Sequence, residues 1–251
     1  MAAAAAQRAL RRANHHGAVN RKRSMAFNLI LVRNAGQKRR RRIRQHVNPF
    51  TKKFQGMPVV PPCLRQGSGR SLHLDIGCAS GNYLLKLAKA NPLTNYVGLE
   101  IRKKLVDDAR RKRDEAQLGN VDFLFCNVID SEAFSELLRQ LPERPSSISV
   151  FHPDPLFKKR QKKRRVVTPA LLGALGEYSA PGAQLFIQSD VQEAFLDMAR
   201  SIFAHPNQWY LGGGGCFGAQ SKENALGIPT DREMTVSRAG LPIWRAQFSV
   251  Q

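Results

Sequence analysis

The residues with the strongest chemical signature in this sequence are Pro153-Asp154-Pro155 and the basic run behind them. Seven Lys and Arg side chains stand between Lys158 and Arg165. The prolines remove backbone donors and stiffen the turn, so we expect the Asp154 carboxylate to be held rigidly. A solvated surface run is the ordinary interpretation of such a stretch. A fixed acid in a basic rim nevertheless suits a site that attracts a polyanion and stabilises a cation.

A glycine loop, Asp75-Ile76-Gly77-Cys78-Ala79-Ser80-Gly81, is the second candidate site. Glycines let a backbone turn sharply and approach a ligand, and a helix N-terminus behind the loop favours polar or anionic groups. The G-x-G-x-x-G pattern is absent, which disfavours a nicotinamide dehydrogenase. Taken alone, this loop is a weak indication of a nucleotide-like ligand.

Two polar residues at the ends of later strands give further support for a nucleotide-like ligand. Glu100 follows an apolar run and stands 23 residues beyond Gly77. In a doubly wound fold, a carboxylate at this place accepts hydrogen bonds from both hydroxyls of a ribose. The alternative is a surface Glu on an exposed turn. Asn127 follows the third predicted strand, where its amide could recognise an adenine edge.

The elements that must position these residues alternate between strand and helix. Apolar runs predict strands over 72–76, 95–99, 121–126, 147–151 and 184–188. Helices are predicted over 102–118, 131–141 and 191–203, and two more begin after the N-cap residues Ser80 and Thr168. Two β-like stretches follow at 209–211 and 243–250. This βα alternation predicts an α/β fold with a doubly wound parallel sheet.

The charge is large and unevenly distributed. The chain has 251 residues, a formal net charge of +21 and a pI near 10.7, which indicates a polyanionic partner. The first 74 residues carry 17 of the 40 Lys and Arg and no acid, since the first acidic residue is Asp75. No apolar stretch is long enough to span a bilayer, so we expect no membrane association. Four cysteines without zinc-like spacing predict reduced thiols and no metal.

The distribution of charge and of turn-forming residues divides the chain into three segments. Residues 1–37 form an Ala- and Arg-rich, acid-free extension that fits an organelle transit peptide or a disordered basic arm. Residues 38–70 are a basic arm and a Pro/Gly-rich linker, in which Lys38-Arg39-Arg40-Arg41-Arg42 fits RNA binding or nuclear localisation. Residues 71–251 form the folded domain. We expect an organelle location, with a plastid favoured over a mitochondrion and the nucleus as the alternative.

These motifs together resemble the bacterial-type tRNA (guanine-N7-)-methyltransferase family. The resemblance extends over about four-fifths of the chain, and the P-D-P block with its basic run is its most specific part. The other matching segments are Arg44-Gln45-His46-Val47-Asn48-Pro49, the glycine loop, Phe186-Ile187-Gln188-Ser189-Asp190, Pro229-Thr230-Asp231-Arg232-Glu233 and Gly240-Leu241-Pro242-Ile243-Trp244-Arg245. The Gln45-His46-Val47-Asn48-Pro49 stretch and the basic run over 158–165 are most similar to members from photosynthetic eukaryotes.

The resemblance implies a class I methyltransferase fold with an antiparallel C-terminal strand added to the mostly parallel sheet. It implies methyl transfer from S-adenosylmethionine to N7 of a guanosine in the variable loop of tRNA, and Asp154 as the catalytic residue. We expect a monomer, and a partner subunit stays open. The cofactor-binding residues implied are Asp75, Gly77, Glu100, Ile101, Arg102, Asn127 and Val128. The residues implied to contact substrate or close the site are Lys158, Asp190, Thr230 and Glu233.

Four positions depart from the family's pattern without removing a group that the chemistry requires. Ala79 replaces the middle glycine of the loop, and Asn127 replaces an aspartate. His152 stands where relatives often carry Phe, and Leu156 replaces a His or Trp.

Two other functions stay open at this point. The first is a non-catalytic RNA-binding protein with the same fold, which the joint presence of Gly77, Glu100 and Asp154 disfavours. The second is a methyltransferase for a protein or a small molecule, which would not need the basic run.

Overall fold

A computed structural model describes residues 47–56, 58, 60, 69–156, 158–205, 209–211, 217–218 and 224–251. The predicted transit-like extension and the Lys38–Arg42 run lie outside the described residues. Five strands were predicted from apolar runs, and all five are present. They are β1 (Ser71–Ile76), β2 (Thr94–Glu100), β3 (Val121–Phe125), β4 (Pro145–Phe151) and β5 (Gln184–Ser189).

Helices follow each of these strands, and three short or late strands extend the sheet. The described residues also contain two 3-10 helices, at Lys52–Phe54 and Lys159–Arg164. The α-helices in this part of the chain are α1 (Asn82–Ala90), α2 (Lys103–Glu115), α3 (Ser131–Gln140), α4 (Pro169–Tyr178), α5 (Gln192–Phe203) and α6 (Asp231–Arg238). The remaining strands are β6 (Trp209–Leu211), β7 (Phe217–Gly218) and β8 (Trp244–Val250).

The sheet has the order β3-β2-β1-β4-β5-β8-β6, and β7 pairs with β8. Strands β1 to β5 are parallel, whereas β8 runs antiparallel to β5. This confirms the doubly wound, mostly parallel sheet with an antiparallel C-terminal strand. The order reverses between β1 and β4, so the crevice for a ligand is expected beyond the carboxyl ends of those two strands.

The core lies on both faces of the sheet because successive strand residues point to opposite sides. On β2, Val97 belongs to the cluster that includes α3, α4 and α5, whereas Tyr96 packs with α1 and α2. Phe123 and Leu124 divide in the same way on β3. Burial of both faces explains why the parallel strands consist of nearly continuous apolar runs.

Three local expectations had different outcomes. Thr168 caps α4 by accepting the Leu171 N–H, with Pro169 at the first helical position, as predicted. The predicted Ser80 cap was wrong, because α1 begins one residue later and its N-cap is Gly81 with a φ of +74°. Packing also begins before Ser71, since Val60 has no exposed surface.

Gly81 allows us to separate backbone strain from crowding. A Cβ at Gly81 would lie 2.6 Å from the Phe123 ring, whereas one at Gly182, with the same φ of +74°, would meet nothing within 4 Å. We expect Gly182→Ala to cost about 1–2 kcal/mol through backbone strain alone. Gly81→Ala should cost about 2–5 kcal/mol, since overpacking adds to that strain. Equal losses of unfolding free energy in urea would contradict the packing role of Gly81.

Candidate functional site

The candidate site lies where β1, β2 and β4 end, at the reversal of strand order. Gly77 follows β1, Glu100 ends β2, and Asp154 lies three residues beyond β4. The predicted cofactor residues except Asp75 line one compartment of the cleft together with Asp154. These residues are Gly77, Glu100, Ile101, Arg102, Asn127 and Val128.

The glycine loop leaves open space at its first glycine. Gly77 has a φ of +86°, and its N–H donates to the Leu99 carbonyl at 2.8 Å. A Cβ at Gly77 would meet no atom within 4 Å, so the backbone here borders free volume in the cleft. Ala79 has a φ of +51°, and its N–H donates to the Glu100 carboxylate at 3.1 Å. The loop therefore provides the close backbone approach that a nucleotide-like cofactor needs.

The Glu100 carboxylate is buried and fully occupied by donors of this chain. Oε1 accepts the Arg102 backbone N–H at 2.9 Å and Arg102 Nε at 2.8 Å. Oε2 accepts Arg102 Nη2 at 2.9 Å and the Ala79 N–H at 3.1 Å. A carboxylate offers about four acceptor positions, and all are used. A ribose can therefore bind Glu100 only if the Arg102 guanidinium moves away.

We expect Arg102→Met to tighten binding of S-adenosylmethionine about three- to tenfold. The variant keeps an apolar stem but leaves the buried Glu100 carboxylate with two free acceptor positions, which a ribose can satisfy without displacing a guanidinium. Titration calorimetry on the variant and the parent protein measures the change. Lys86→Met is the matched control, because Lys86 also pairs with a carboxylate, that of Asp231, on an exposed surface. Weaker binding by Arg102→Met would show that the guanidinium instead contacts the cofactor.

Asn127 connects the cleft to the N-terminal segment. Its amide nitrogen donates to the Pro49 carbonyl at 2.9 Å, and its oxygen accepts the Ile129 N–H at 3.3 Å. Val47 and Pro49 line the same compartment. The sequence suggested a basic arm at this place and missed its contribution to the cleft wall, because the contact joins residues 78 positions apart.

Asp75 lies in a second compartment at the end of β1 and is connected to a buried hydrogen-bond chain. The Ser149 hydroxyl donates to Asp75 at 2.6 Å, so Ser149 must accept its 3.0 Å hydrogen bond from His73 Nε2. The other His73 nitrogen then accepts from the Ser147 hydroxyl at 2.7 Å. Burial raises the pKa of Asp75 to about 7, although the Ser149 hydrogen bond opposes the shift. Burial also lowers the pKa of His73 to about 3, so that ring is neutral.

The predicted substrate residues are distributed unequally around this second compartment. Asp190 and Thr230 line it together with Asp154. Lys158 is exposed and precedes the basic 3-10 helix. Glu233 is buried and completes a capping box with Thr230, the N-cap of α6. Burial would raise the pKa of Glu233, but hydrogen bonds from the Thr230 backbone and Arg245 lower it, so Glu233 is ionised.

Asp190 is an ionised carboxylate held between two side chains. His152 Nδ1 lies 3.0 Å from Oδ1, and Arg232 Nε donates to Oδ2 at 3.1 Å. Burial favours the neutral acid, but these hydrogen bonds outweigh it and hold the pKa of Asp190 well below its usual range. Arg232 also lines the compartment, where the sequence motif alone gave it no role.

Two kinds of site are not found in the described part of the chain. No group of three or more His, Cys, Asp or Glu side chains among the described residues could hold a metal ion. None of the described helices has the length and apolar character needed to cross a membrane.

Comparisons with known proteins identify a family of methyltransferases. A family model described as putative methyltransferase matches residues 69–246. The tRNA (guanine-N(7)-)-methyltransferase of Microcystis aeruginosa is 39% identical over 219 residues, which cover 84% of this chain and 98% of that protein. The protein of the same name from Synechococcus elongatus is 42% identical and covers 82% of this chain and 95% of its own length. A third, from Prochlorococcus marinus, is 42% identical over 82% of this chain and 87% of its own length.

Proposed function

The chain belongs to the tRNA (guanine-N7-)-methyltransferase family, and on that premise we propose that it methylates N7 of a guanosine in tRNA with S-adenosylmethionine. One observation carries the proposal. Asp154 lies on the wall shared by the cofactor compartment and the compartment that holds Asp190 and Thr230. A base bound in the second compartment would therefore reach a cofactor bound in the first beside the Asp154 carboxylate.

The residues around the glycine loop fit the cofactor. Gly77 borders free volume in the cleft. The Glu100 carboxylate can accept hydrogen bonds from the ribose hydroxyls once the Arg102 guanidinium has moved. Ile101 and Val128 supply apolar surface beside them, and Asn127 supplies an amide. Asp75 lies in the second compartment beside Gly77, which lines both compartments, so its ionised form would suit the cationic end of a cofactor that extends past this glycine. When bound, S-adenosylmethionine supplies an electrophilic sulfonium methyl group.

The chemistry requires little from the protein beyond alignment and charge stabilisation. Guanine N7 has a lone pair and no proton, so no general base is needed. The purine becomes cationic as the methyl group is transferred, and a fixed carboxylate stabilises that charge. Asp154 can accept hydrogen bonds from guanine N1–H and the exocyclic amine, which orients the base. The guanine must leave its stack to reach the cleft.

The basic residues 158–165 and the arm over 38–44 are proposed to hold the surrounding tRNA phosphates. Lys162 is exposed on the 3-10 helix, and Lys163 lies over the Phe50 ring at 5.3 Å, which joins this helix to the N-terminal segment. Lys158 is proposed to contact substrate, and Asp190, Thr230 and Glu233 to contact it or to shape its compartment. We propose that the catalytic unit is a monomer of residues 71–251 preceded by this arm.

Transfer of tritiated methyl from S-adenosylmethionine to unmodified tRNA, followed by nucleoside analysis, tests the proposed activity. We expect 7-methylguanosine as the labelled product. A protein that binds tRNA and transfers no label would instead be a non-catalytic RNA-binding protein. If a protein or a small molecule is labelled and RNA is not, the chain is instead a methyltransferase for that class of substrate.

We propose further that the chain acts in a plastid. The matching relatives come from cyanobacteria, and the acid-free start of the chain has the composition of a transit peptide. Fluorescent fusions of the full chain and of a chain without residues 1–37 test this location. We expect only the full chain to enter plastids, and nuclear fluorescence of both fusions would favour the nuclear alternative.

A further inference from the structure

His152 and its neighbours form a chain of buried and partly buried hydrogen bonds beside the segment that carries Asp154. Gln188 is fully buried on β5, where it pairs with Arg245 of β8 across the antiparallel register. Gln188 Nε2 lies 2.8 Å from His152 Nε2, and Gln188 Oε1 accepts Arg245 Nε at 2.9 Å. Arg245 Nη2 in turn donates to Glu233 at 2.7 Å. The chain thus connects α6 to the residue that precedes Pro153.

The direction of each hydrogen bond follows from Arg245, because a guanidinium can only donate. The Gln188 atom that faces Arg245 must therefore be the carbonyl oxygen, and its amide nitrogen must face His152. An amide nitrogen donates, so His152 Nε2 must accept and carry no proton. The ring proton is then on Nδ1, which donates to Asp190 at 3.0 Å. His152 is accordingly uncharged, with its tautomer fixed from both sides.

The backbone at His152 shows why its side chain needs this support. His152 has a φ of +49°, a left-handed conformation that non-glycine residues rarely adopt. Its N–H donates to the Gln188 carbonyl at 2.8 Å, so backbone and ring are both held by the same residue of β5. The strained residue directly precedes Pro153, which begins the irregular segment that carries Asp154.

The charge of His152 matters because of what surrounds it. Asp154 lies two residues away, and both residues line the same two compartments. The other charged groups around the ring in the described part of the chain are Asp190, with Arg232 beyond it, and Arg245 and Glu233 beyond Gln188. A second ring proton, on Nε2, would make His152 positively charged beside Asp154, where the guanine is to become cationic. It would also point at the Gln188 amide nitrogen, which is itself a donor.

We propose that Gln188, oriented by Arg245, is a positioning residue that keeps His152 uncharged and its proton on Nδ1 beside Asp154. The proposal rests on the methyl transfer proposed above for this site. It assigns Gln188 no contact with substrate or cofactor.

The first test is nitrogen-15 NMR of histidine-labelled protein at pH 7.5, which distinguishes the tautomers without any activity measurement. The His152 signal, identified by its loss in His152→Asn, should show a protonated Nδ1 and an unprotonated Nε2. A protonated Nε2, in either the neutral or the charged ring, would overturn the proposal even if the chain methylates tRNA normally.

The second test replaces Gln188 with the near-isosteric Glu. Gln188→Glu keeps an acceptor for Arg245 but can only accept from His152, so the ring should gain a proton on Nε2 and become charged. We expect kcat for tRNA methylation to fall about tenfold or more, with binding of S-adenosylmethionine changed less than about twofold. Gln184→Glu, which adds the same charge at the start of β5, should leave kcat unchanged.

These outcomes separate this proposal from the proposed function. Unchanged kcat in a folded Gln188→Glu, with the NMR signal shifted as expected, would overturn the positioning role and leave the methyltransferase intact. No methylation by the parent protein would refute the proposed function, while the NMR result would still report the tautomer. If Gln188→Glu fails to fold, His152→Gln provides the kinetic comparison. Its amide is always uncharged, so kcat should stay close to that of the parent protein, and a large loss of kcat would overturn the argument from charge.

Discussion

Asp154→Ala should lower the turnover of tRNA methylation about 10²- to 10³-fold while S-adenosylmethionine still binds. A single fixed group that stabilises developing charge typically contributes an effect of this size. The carboxylate lies at the boundary of the two compartments, so its loss removes charge stabilisation and orientation of the base without opening the glycine loop. Single-turnover kinetics and titration calorimetry measure the two quantities separately.

Two further variants identify the cause of the loss. Asp154→Asn keeps the shape but places an amide donor opposite the guanine N–H groups, so it should be as impaired as Asp154→Ala. Asp107→Ala removes an exposed carboxylate of α2, which pairs with Lys103, and should retain full turnover. Methylation by Asp154→Ala within about threefold of the parent rate would contradict the assigned role, since one charged hydrogen bond is worth more than that.

The strands could be predicted because their signals are local. A buried parallel strand requires an apolar run, and all five such runs form the sheet. Thr168 and Pro169 mark the start of α4 by type and position alone. The reversal of strand order then places Gly77, Glu100 and Asp154 together, although they are far apart in the sequence.

The state of the side chains could not be predicted in the same way. The hydrogen bonds from the Arg102 guanidinium to Glu100 depend on the rotamer of Arg102, which the sequence does not determine. The contact of Asn127 with Pro49 joins segments that are far apart in the sequence. One missed element did have a local signal. Thr230 and Glu233 have the capping-box spacing, which marks the start of α6, but the family motif drew attention to substrate binding instead.

Asp75→Asn should make the folded chain more stable than the parent protein near pH 8 and should lower the affinity for the cofactor. The pKa of Asp75 is raised to about 7 in the folded chain from its ordinary value of 3.8, chiefly by burial. Below pH 3.8 both folded and unfolded chains keep this proton, so the residue has no effect on stability there. As the pH rises towards 7, the unfolded chain releases the proton while the folded chain retains it. Stability is therefore lost over this range and is constant above it.

A difference of about three pH units corresponds to about 4 kcal/mol. The stability of Asp75→Asn relative to the parent should therefore rise by about this amount between pH 4 and pH 8, because an amide does not titrate. Urea unfolding at a series of pH values measures it, and Asp107→Asn, which changes an exposed carboxylate, should follow the parent curve. Parallel curves for Asp75→Asn and the parent would show that the buried carboxyl is not protonated in the folded chain.

Binding of the cofactor explains why a buried carboxyl, which costs stability, lies at the end of β1. S-adenosylmethionine carries a sulfonium and an ammonium group, so its binding favours the ionised form of Asp75 and should release up to one proton near pH 6.5. Calorimetry in buffers of different ionisation enthalpy measures that proton. Asp75→Asn should release none and bind the cofactor at least about tenfold more weakly. An unchanged affinity would mean that Asp75 lies too far from the positive charges of the cofactor to stabilise them.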